Sequence, residues 1–397
     1  MPSIIEAITA GLSESTFFRE LCFSGQKFEV PQTGELELAD VFIWLENTGI
    51  IVQVKERERD SGESDGIAKW FDKKVVDKGT KQIADTIRFF SDHPTARVRS
   101  SRGIDFQLER LNTLSTHKII VFGTLASDLN LHSLAKLHKS KRVGAVHLIE
   151  ATGFVNLLHW LVTPGELLEY LAFREAYLHQ HEFAQMLSEK WLFGRFVESG
   201  DAQQNHLDYP GWNAETVVDR LADDSAQADL RRFFDHIGEW AVALDRRDSV
   251  FRRLLLECAL LSRGAMREFK RRIVKCQERM DKPGPESIYR ILNPVRGCVF
   301  VFGVFPADVK HRLEIGAENL TQLAKYDCET EKAVGFFFTP VEPDGIAITP
   351  VYIEYPWHQQ PQLANSLKEF NPFRPLNKDA VFGYYIEPGH DSSRRIE

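Results

Sequence analysis

The chain lacks the short motifs that identify several large enzyme classes. It contains no Gly-x-x-x-x-Gly-Lys phosphate-binding loop, no Gly-x-Gly-x-x-Gly fingerprint and no Gly-x-Ser-x-Gly nucleophile elbow. Its closest pair of histidines, His179 and His181, falls on different faces of a predicted helix and is poorly placed to chelate one metal. The sequence therefore gives no support for a mononucleotide- or dinucleotide-binding fold, a serine hydrolase or a histidine metal site.

Cysteine is scarce, and so are the signals for export or membrane insertion. There are five cysteines in 397 residues, and no two of them have Cys-x-x-Cys spacing. The first ten residues lack the basic start and the long apolar core of a secretory signal. No apolar run reaches the length needed to span a bilayer, and the most apolar segment, residues 154–171, is interrupted by Pro164 and Gly165. We expect reduced, mostly buried thiols in a cytoplasmic protein that does not enter a membrane.

An excess of positive charge is also missing. The formal net charge is −8, so a nucleic-acid-binding protein of this composition would need local basic patches. Hydrophobic residues make up 43% of the chain and charged residues 27%, as in ordinary globular proteins. A chain of 397 residues is expected to form two or three domains.

The pattern along the chain predicts an α/β protein in three parts. Residues 1–152 alternate between helical and strand patterns, residues 153–284 are helical, and residues 285–397 form a second α/β domain of unknown role. The segment 281–287, with two prolines and a glycine, is the clearest linker. Helical spacing over residues 4–22, with a break near 11–13, places Glu20 on a helix.

Residues 37–58 predict a buried hairpin that carries three polar residues. If the turn is Asn47–Thr48 or Glu46–Gly49, position i faces position 95 − i, so Asp40 lies opposite Lys55. Gln53 and Lys55 share one face of their strand because side chains alternate. The prediction is therefore that Asp40, Gln53 and Lys55 converge on one patch of an apolar sheet.

Two interpretations of this patch stay open on spacing alone. In the first, Asp40 and Lys55 form a plain cross-strand ion pair, and such pairs contribute little when exposed. In the second, the patch hydrolyses phosphodiesters, a reaction that needs a divalent metal, a water nucleophile and charge stabilisation. A carboxylate and an amide oxygen can bind Mg²⁺, and the lysine can orient the water or neutralise charge on the phosphate.

The stretch from residue 13 to 125 resembles the core of the PD-(D/E)XK nuclease superfamily, which includes many restriction enzymes. The similarity is carried by Glu20 in "STFFREL", Asp40 in "LELAD", Gln53 and Lys55 in "VQVK", and Lys81 and Gln82 in "KGTKQIADT". Two departures are Ala39 in place of the proline before the aspartate, and a neutral Gln53 in place of an acid. The resemblance implies a restriction-endonuclease-like mixed sheet flanked by helices.

The resemblance also implies site roles and partners. Catalysis would depend on Asp40, Gln53, Lys55 and Glu20, with Mg²⁺ or Mn²⁺ held by Asp40, Gln53 and Glu20. The substrate is expected to be DNA, cut in a bacterial restriction or anti-phage role. Basic and polar residues expected to contact nucleic acid are Lys81, Gln82, Lys73, Lys74, Arg97, Arg99 and Arg102.

The same residues are also consistent with roles that involve no catalysis. The helical lysines alternate with acids, as they do on an ordinary solvated helix. The loss of a charge at Gln53 is consistent with a nuclease-like module that binds nucleic acid or a protein partner without cutting. A homodimer or a regulatory protein partner is the remaining expectation.

Overall fold

The computed structural model describes most of the chain. It covers residues 3–30, 34–37, 39–57, 64–124, 134–199, 215, 217–218, 226–243, 249–282, 284, 287–341, 345–374 and 376. The chain divides into two compact units, with the change from the first to the second between Ser225 and Ala226. Helices from the region 153–284 fall in both units, so this region does not form a unit of its own. The mixed α/β class predicted from the sequence is confirmed.

The first unit is built on ten strands and six helices among the described residues. The strands are β1 Cys22–Ser24, β2 Lys27–Val30, β3 Gly34–Glu37, β4 Val41–Leu45, β5 Thr48–Arg57, β6 Ala96–Arg99, β7 Asp105–Leu108, β8 Ser115–Thr124, β9 Leu137–Ser140 and β10 Gly144–Glu150. The helices are α1 Ile4–Thr16, α2 Ser64–Trp70, α3 Gly79–Asp92, α4 Ala151–Trp160, α5 Pro164–Gln180 and α6 Glu189–Ser199. A π-helical segment, Phe71–Lys78, joins α2 directly to α3.

Six strands form one mixed sheet in the order β1-β4-β5-β8-β10-β9. The first three strands are antiparallel neighbours, whereas β5, β8 and β10 run parallel to one another. Strands β5 and β8 are joined through α2, the π-helical segment and α3, as a parallel connection requires. The order of the elements of this sheet and its helices along the chain is therefore a helix, a meander of β1, β4 and β5, a second helical stretch and a further strand.

The β4–β5 hairpin has a different register from the one predicted. Val41 pairs with Val52 and Leu45 with Thr48, so position i faces position 93 − i and the turn is Glu46–Asn47. Glu46 takes the left-handed conformation, with φ of 61°. The predicted pairing of Asp40 with Lys55 is therefore wrong by two residues. Because side chains alternate with a period of two, the predicted face is still correct.

Helix α1 is continuous and shorter than predicted. It begins after Ser3, whose side chain and that of Glu6 form a capping box, and it ends at Thr16 without a break at residues 11–13. Phe18 follows in the left-handed conformation, with φ of 62°. Glu20 lies in the turn that precedes β1, so the prediction that it is part of a helix is wrong.

The two faces of the sheet are covered by different helices. On the face that carries Phe42, Phe90 of α3 packs against the Phe42 ring at 5.1 Å. Phe71 of the π-helical segment packs against Phe122 on the same face, also at 5.1 Å. The helical stretch 64–92 therefore runs across the face on which Gln53 and Lys55 lie.

On the opposite face, Gly123 of β8 is the point of closest approach of two helices. A Cβ atom at Gly123 would lie 2.8 Å from the Cβ of Ala151 in α4 and 3.0 Å from Cδ1 of Ile5 in α1. The backbone N–H of Ile5 donates to Glu56 Oε2 at 3.0 Å, which ties the first turn of α1 to β5. Helices α1 and α4 are thereby fixed over the carboxyl ends of β5 and β8.

The second unit combines five helices and a four-stranded sheet among its described residues. The helices are α7 Ala226–Ala243, α8 Ser249–Ala259, α9 Arg263–Glu278, α10 Leu313–Asp327 and α11 Pro361–Glu369, and the strands are β11 Tyr289–Asn293, β12 Cys298–Val304, β13 Lys332–Val341 and β14 Gly345–Glu354. The sheet order is β11-β12-β13-β14, with only β12 and β13 parallel. Phe269 of α9 packs its ring on Phe300, Phe302 and Phe336 at centroid distances of 4.9–6.0 Å.

The expectations for cysteines and membrane segments can be compared with the structure. The five cysteines are all described, and each is a buried free thiol, as predicted. Within the described ranges, no helix is both long and apolar enough to cross a membrane.

Candidate active site

Asp40 lies at the bend immediately before β4, and its side chain extends the hydrogen-bond pattern of the sheet. Its Oδ2 atom accepts the backbone N–H of Val54 at 2.5 Å. Strand β4 begins only at Val41, so at Val54 the edge of β5 that faces away from β8 has no β4 backbone paired with it. The carboxylate of Asp40 takes the place of that missing backbone acceptor.

The ammonium group of Lys55 lies among three oxygen atoms of this corner. It donates to the backbone oxygen of Val54 at 2.7 Å and to Oε1 of Gln53 at 3.3 Å. Its Nζ atom is 3.9 Å from Oδ2 of Asp40. The side chains of Lys55 and Asp40 are only 11% and 12% exposed, and Gln53 is 3% exposed. The structure thus brings together Asp40, Gln53 and Lys55, as the hairpin pattern predicted.

The donor set is of the kind that a hard divalent cation prefers. It offers one carboxylate, one amide oxygen and one backbone carbonyl, which are oxygen ligands suited to Mg²⁺. Within the described part of the chain, no cluster of three or more His, Cys, Asp or Glu residues is placed to hold a metal ion. Because Mg²⁺ commonly takes few protein oxygens and keeps several waters, a donor set with a single carboxylate is compatible with this ion.

Glu20 lies away from this corner. In the antiparallel pairing of β1 with β4, Ser24 faces Val41 and Cys22 faces Ile43, so Glu20 is next to the other end of β4. The five residues of β4 separate the two ends by about 15 Å. The structure therefore does not bring Glu20 together with Asp40, Gln53 and Lys55 along the strands, and the predicted metal-binding and catalytic role of Glu20 stays a prediction.

The carboxylate of Glu20 is instead paired with a predicted DNA-binding residue. Arg102 Nε donates to Glu20 Oε1 at 2.8 Å, and the two side chains are 12% and 3% exposed. A largely buried guanidinium in an ion pair presents little of its charge to a phosphate backbone. The geometry thus favours a structural role for Arg102.

Arg97 and Arg99 lie on strand β6, and both contact Asp105 of β7. Arg99 Nε donates to Asp105 Oδ1 at 2.7 Å, and Arg97 Nη2 donates to Oδ2 at 2.9 Å. The hydrogen bond from Arg99 is the main reason that the pKa of Asp105 is lowered to about 2. The segment is a two-stranded ribbon in which an acid offsets part of the basic charge of the two arginines predicted to contact nucleic acid.

The residues of the helical stretch 64–92 that were predicted to contact nucleic acid differ in their exposure to solvent. Lys74 and Lys81 are exposed, whereas Lys73 forms an exposed ion pair with Asp77 at 3.1 Å. Gln82 is half-buried on α3, and its Oε1 atom is buried without a hydrogen-bond partner among the described residues. Lys74 and Lys81 therefore offer charge to solvent, whereas the amide oxygen of Gln82 is not accessible to it.

The backbone oxygen of Val54 is a group of this corner that sequence reasoning missed, and no sequence pattern gives a signal for it. Glu14 of α1, also not singled out from the sequence, accepts a hydrogen bond from Ser24 Oγ at 2.5 Å. Ser24 pairs with Val41, so its side chain lies on the sheet face opposite Asp40, which is the face that α1 covers.

Comparisons with known proteins add no relative to this geometry. No protein-family model, no curated protein and no solved structure matches the chain. The assignment of a function therefore depends on the residues of the corner themselves.

Proposed function

We propose that the first unit is a metal-dependent nuclease that hydrolyses phosphodiester bonds in DNA. The observation that carries the proposal is the convergence of three oxygens on one cation position. Asp40 Oδ2, Gln53 Oε1 and the backbone oxygen of Val54 lie 3.9, 3.3 and 2.7 Å from Lys55 Nζ. An ammonium already binds there, so the position is suited to positive charge.

Asp40, Gln53 and the Val54 carbonyl would hold a Mg²⁺ or Mn²⁺ ion. When bound, the ion supplies Lewis-acid stabilisation of the charged phosphate. Lys55 would donate a hydrogen bond that orients the attacking water and offsets negative charge that develops on the phosphate oxygens. The low exposure of all three side chains keeps bulk water away, which strengthens these electrostatic interactions.

DNA would approach from the side of the long helical stretch. Lys74 and Lys81 are exposed there and would contact the phosphate backbone. Phosphate contacts of this kind position a nucleic acid without reading its sequence. A role in restriction or anti-phage defence, in the cytoplasm, follows from the resemblance of the hairpin motif alone.

A second candidate is a nuclease-like module that binds without cutting. It is favoured by the double use of Val54, whose N–H bonds to Asp40 and whose carbonyl bonds to Lys55. In this candidate both side chains serve only to satisfy the backbone of β5 where β4 ends, and a buried backbone group without a partner is costly. The neutral Gln53 fits this candidate as well.

The deciding experiment is a cleavage assay on supercoiled plasmid, linear duplex and single-stranded DNA, with Mg²⁺, Mn²⁺ or EDTA. Lys55→Gln is the test variant, because a glutamine can still donate to the Val54 carbonyl while lacking the charge. Lys368→Gln is the control, because Lys368 is an exposed helical lysine of the second unit and is not among the residues predicted to contact nucleic acid. Cleavage that requires metal and is lost only in Lys55→Gln supports the nuclease. Binding of DNA without cleavage, equal in wild type and Lys55→Gln, supports the binding module.

A further inference from the structure

The position of the Lys55 ammonium has a consequence for how a metal enters the site. The three oxygens around Nζ are the Val54 carbonyl at 2.7 Å, Gln53 Oε1 at 3.3 Å and Asp40 Oδ2 at 3.9 Å. These are also the three protein oxygens that would bind a divalent ion. A small cation and the ammonium cannot occupy one position among the same ligands.

We propose that Lys55 is an internal competitor for the metal, so that its ammonium holds the cation position until a divalent ion displaces it. The inference rests on the proposed function, since it concerns the same site. The site carries one carboxylate among its named ligands, and that carboxylate already interacts with the ammonium. Mg²⁺ must therefore replace an existing cation and also lose part of its own hydration, which it does reluctantly.

Because Gln53 is neutral, the affinity of the site for a divalent ion exceeds its affinity for the Lys55 ammonium by less than it would with an acid at this position. An acid at position 53 would attract both cations more strongly, but a dication gains more from each added charge than an ammonium does. With a neutral glutamine at position 53, the site carries less negative charge, so a divalent ion displaces the Lys55 ammonium less readily. The expected result is a weak metal site in the free protein, in which binding improves when a substrate phosphate supplies further negative ligands.

Displacement would also place Lys55 where the reaction can use it. Its hydrogen bonds to Val54 and Gln53 would be released, and the side chain would stay within reach of the corner because its stem is fixed to β5. The ammonium would then be available to the phosphate and the attacking water. One exchange of cations would thus couple metal entry to the freeing of the lysine.

The test is the affinity for Mn²⁺ in the absence of DNA, measured from the electron paramagnetic resonance signal of the free ion. Wild type is compared with Lys55→Gln, Lys55→Met, Lys73→Gln and the double variant Asp40→Asn/Lys55→Gln. Lys55→Gln keeps a donor for Val54, so it remains informative if Lys55→Met fails to fold. Far-ultraviolet circular dichroism confirms the folded state of each variant.

We expect Lys55→Gln to bind Mn²⁺ at least about tenfold more tightly than wild type, because a neighbouring positive charge is removed. Lys73→Gln should match wild type, and the double variant should lose the binding. Affinity in Lys55→Gln that equals or falls below that of wild type overturns the competition while leaving the metal site and the nuclease in place. If neither protein binds Mn²⁺ at millimolar concentration, the metal site itself is refuted together with the competition.

Discussion

Oδ2 of Asp40 accepts the backbone N–H of Val54 at 2.5 Å, and the backbone oxygen of the same residue accepts from Lys55 at 2.7 Å. Asp40 and Lys55 thus satisfy the backbone of β5 at the point where β4 ends. Both side chains are also the principal residues of the proposed reaction. Variants at either position change stability and chemistry together unless the substitution keeps the backbone contact.

Substitutions at Asp40 can separate the two roles. Asn keeps an oxygen acceptor for the Val54 N–H but removes the charge, so Asp40→Asn should retain most of the stability and lose the metal. Asp40→Ala leaves the N–H without its partner and should cost about 1–3 kcal/mol as well. Urea unfolding and Mn²⁺ binding measure the two effects. Equal stability of the two variants would show that the hydrogen bond to Val54 contributes nothing.

A substitution at Gln53 should strengthen the metal site. Gln53→Glu adds a second carboxylate beside the cation position, so the Mn²⁺ affinity should rise by about tenfold or more. The measurement is a titration followed by isothermal calorimetry, with Gln82→Glu on the neighbouring helix as the comparison. An unchanged affinity in Gln53→Glu would mean that Gln53 does not face a bound ion.

The Glu20–Arg102 pair should affect stability and not the metal. Glu20 is 2% exposed and binds Arg102 Nε at 2.8 Å, so Glu20→Gln removes a counter-charge from a nearly buried guanidinium. We expect a loss of about 3 kcal/mol in the free energy of unfolding. Replacing both residues by apolar ones should cost less than the sum of the single changes. A Mn²⁺ affinity reduced in Glu20→Gln would contradict the placement of Glu20 at the far end of β4.

The buried His147 predicts a loss of stability in acid. Burial lowers the pKa of His147, and the neighbouring Arg174 guanidinium, 3.3 Å away and donating to Nδ1, lowers that pKa further. The folded state therefore favours the neutral imidazole, and its stability is retained above the unfolded pKa of roughly 6.5. As the pH falls below that value, the free energy of unfolding should drop by up to about 1.4 kcal/mol per pH unit.

This acid sensitivity can be measured by urea unfolding at about pH 7.5 and about pH 5.5, on either side of the unfolded histidine pKa. His147→Gln should flatten the dependence, because an amide does not titrate and its oxygen can accept from Arg174. The exposed His179 provides the control, since His179→Gln should leave the slope as in wild type. An identical slope in His147→Gln and wild type would assign the acid sensitivity to other groups.

Adding one methyl group should change the stability in opposite directions at two glycines, Gly123 and Gly11. Gly123→Ala would place a Cβ atom 2.8 Å from Ala151 Cβ, and we expect a destabilisation of about 1–3 kcal/mol. Gly11 lies in α1 with nothing within 4 Å of a Cβ, so Gly11→Ala should stabilise the protein by about 0.5–1 kcal/mol. Thermal unfolding of both variants checks the pair. A neutral Gly123→Ala would show that α1 or α4 can shift without cost.

The face of the hairpin could be predicted from the sequence, although its register could not. The prediction assumed a turn at Asn47–Thr48 or Glu46–Gly49, but the turn is Glu46–Asn47, with a positive φ at Glu46 and with Thr48 already paired to Leu45. Glutamate gives no signal for that conformation, which favours Gly, Asn or Asp. The error was two residues, which equals the period of a strand, so Asp40, Gln53 and Lys55 stayed together.

The limits of sequence reasoning are clearer at the end of α1. The apolar pattern continues through Phe17 and Phe18, with no glycine or proline to mark the end at Thr16. Phe18 then turns the chain with a positive φ, which an aromatic residue rarely adopts. The apolar pattern therefore carries the predicted helix on to Glu20, which the structure places in the turn before β1. Long-range pairs such as Glu20 with Arg102 depend on the complete fold and leave no local pattern.

Because Asp40 and Lys55 satisfy the backbone of β5 as well as serving the proposed reaction, a protein can contain this motif without having the activity. A descendant of this chain that no longer needed to cut DNA would still need a partner for both backbone groups of Val54. Selection for folding alone would then retain an aspartate before β4 and a lysine after Val54, while the residue at position 53 would be the first that is free to change. Among proteins built on this hairpin, the identity of the residue at position 53 should therefore be a better guide to catalysis than the residues at positions 40 and 55.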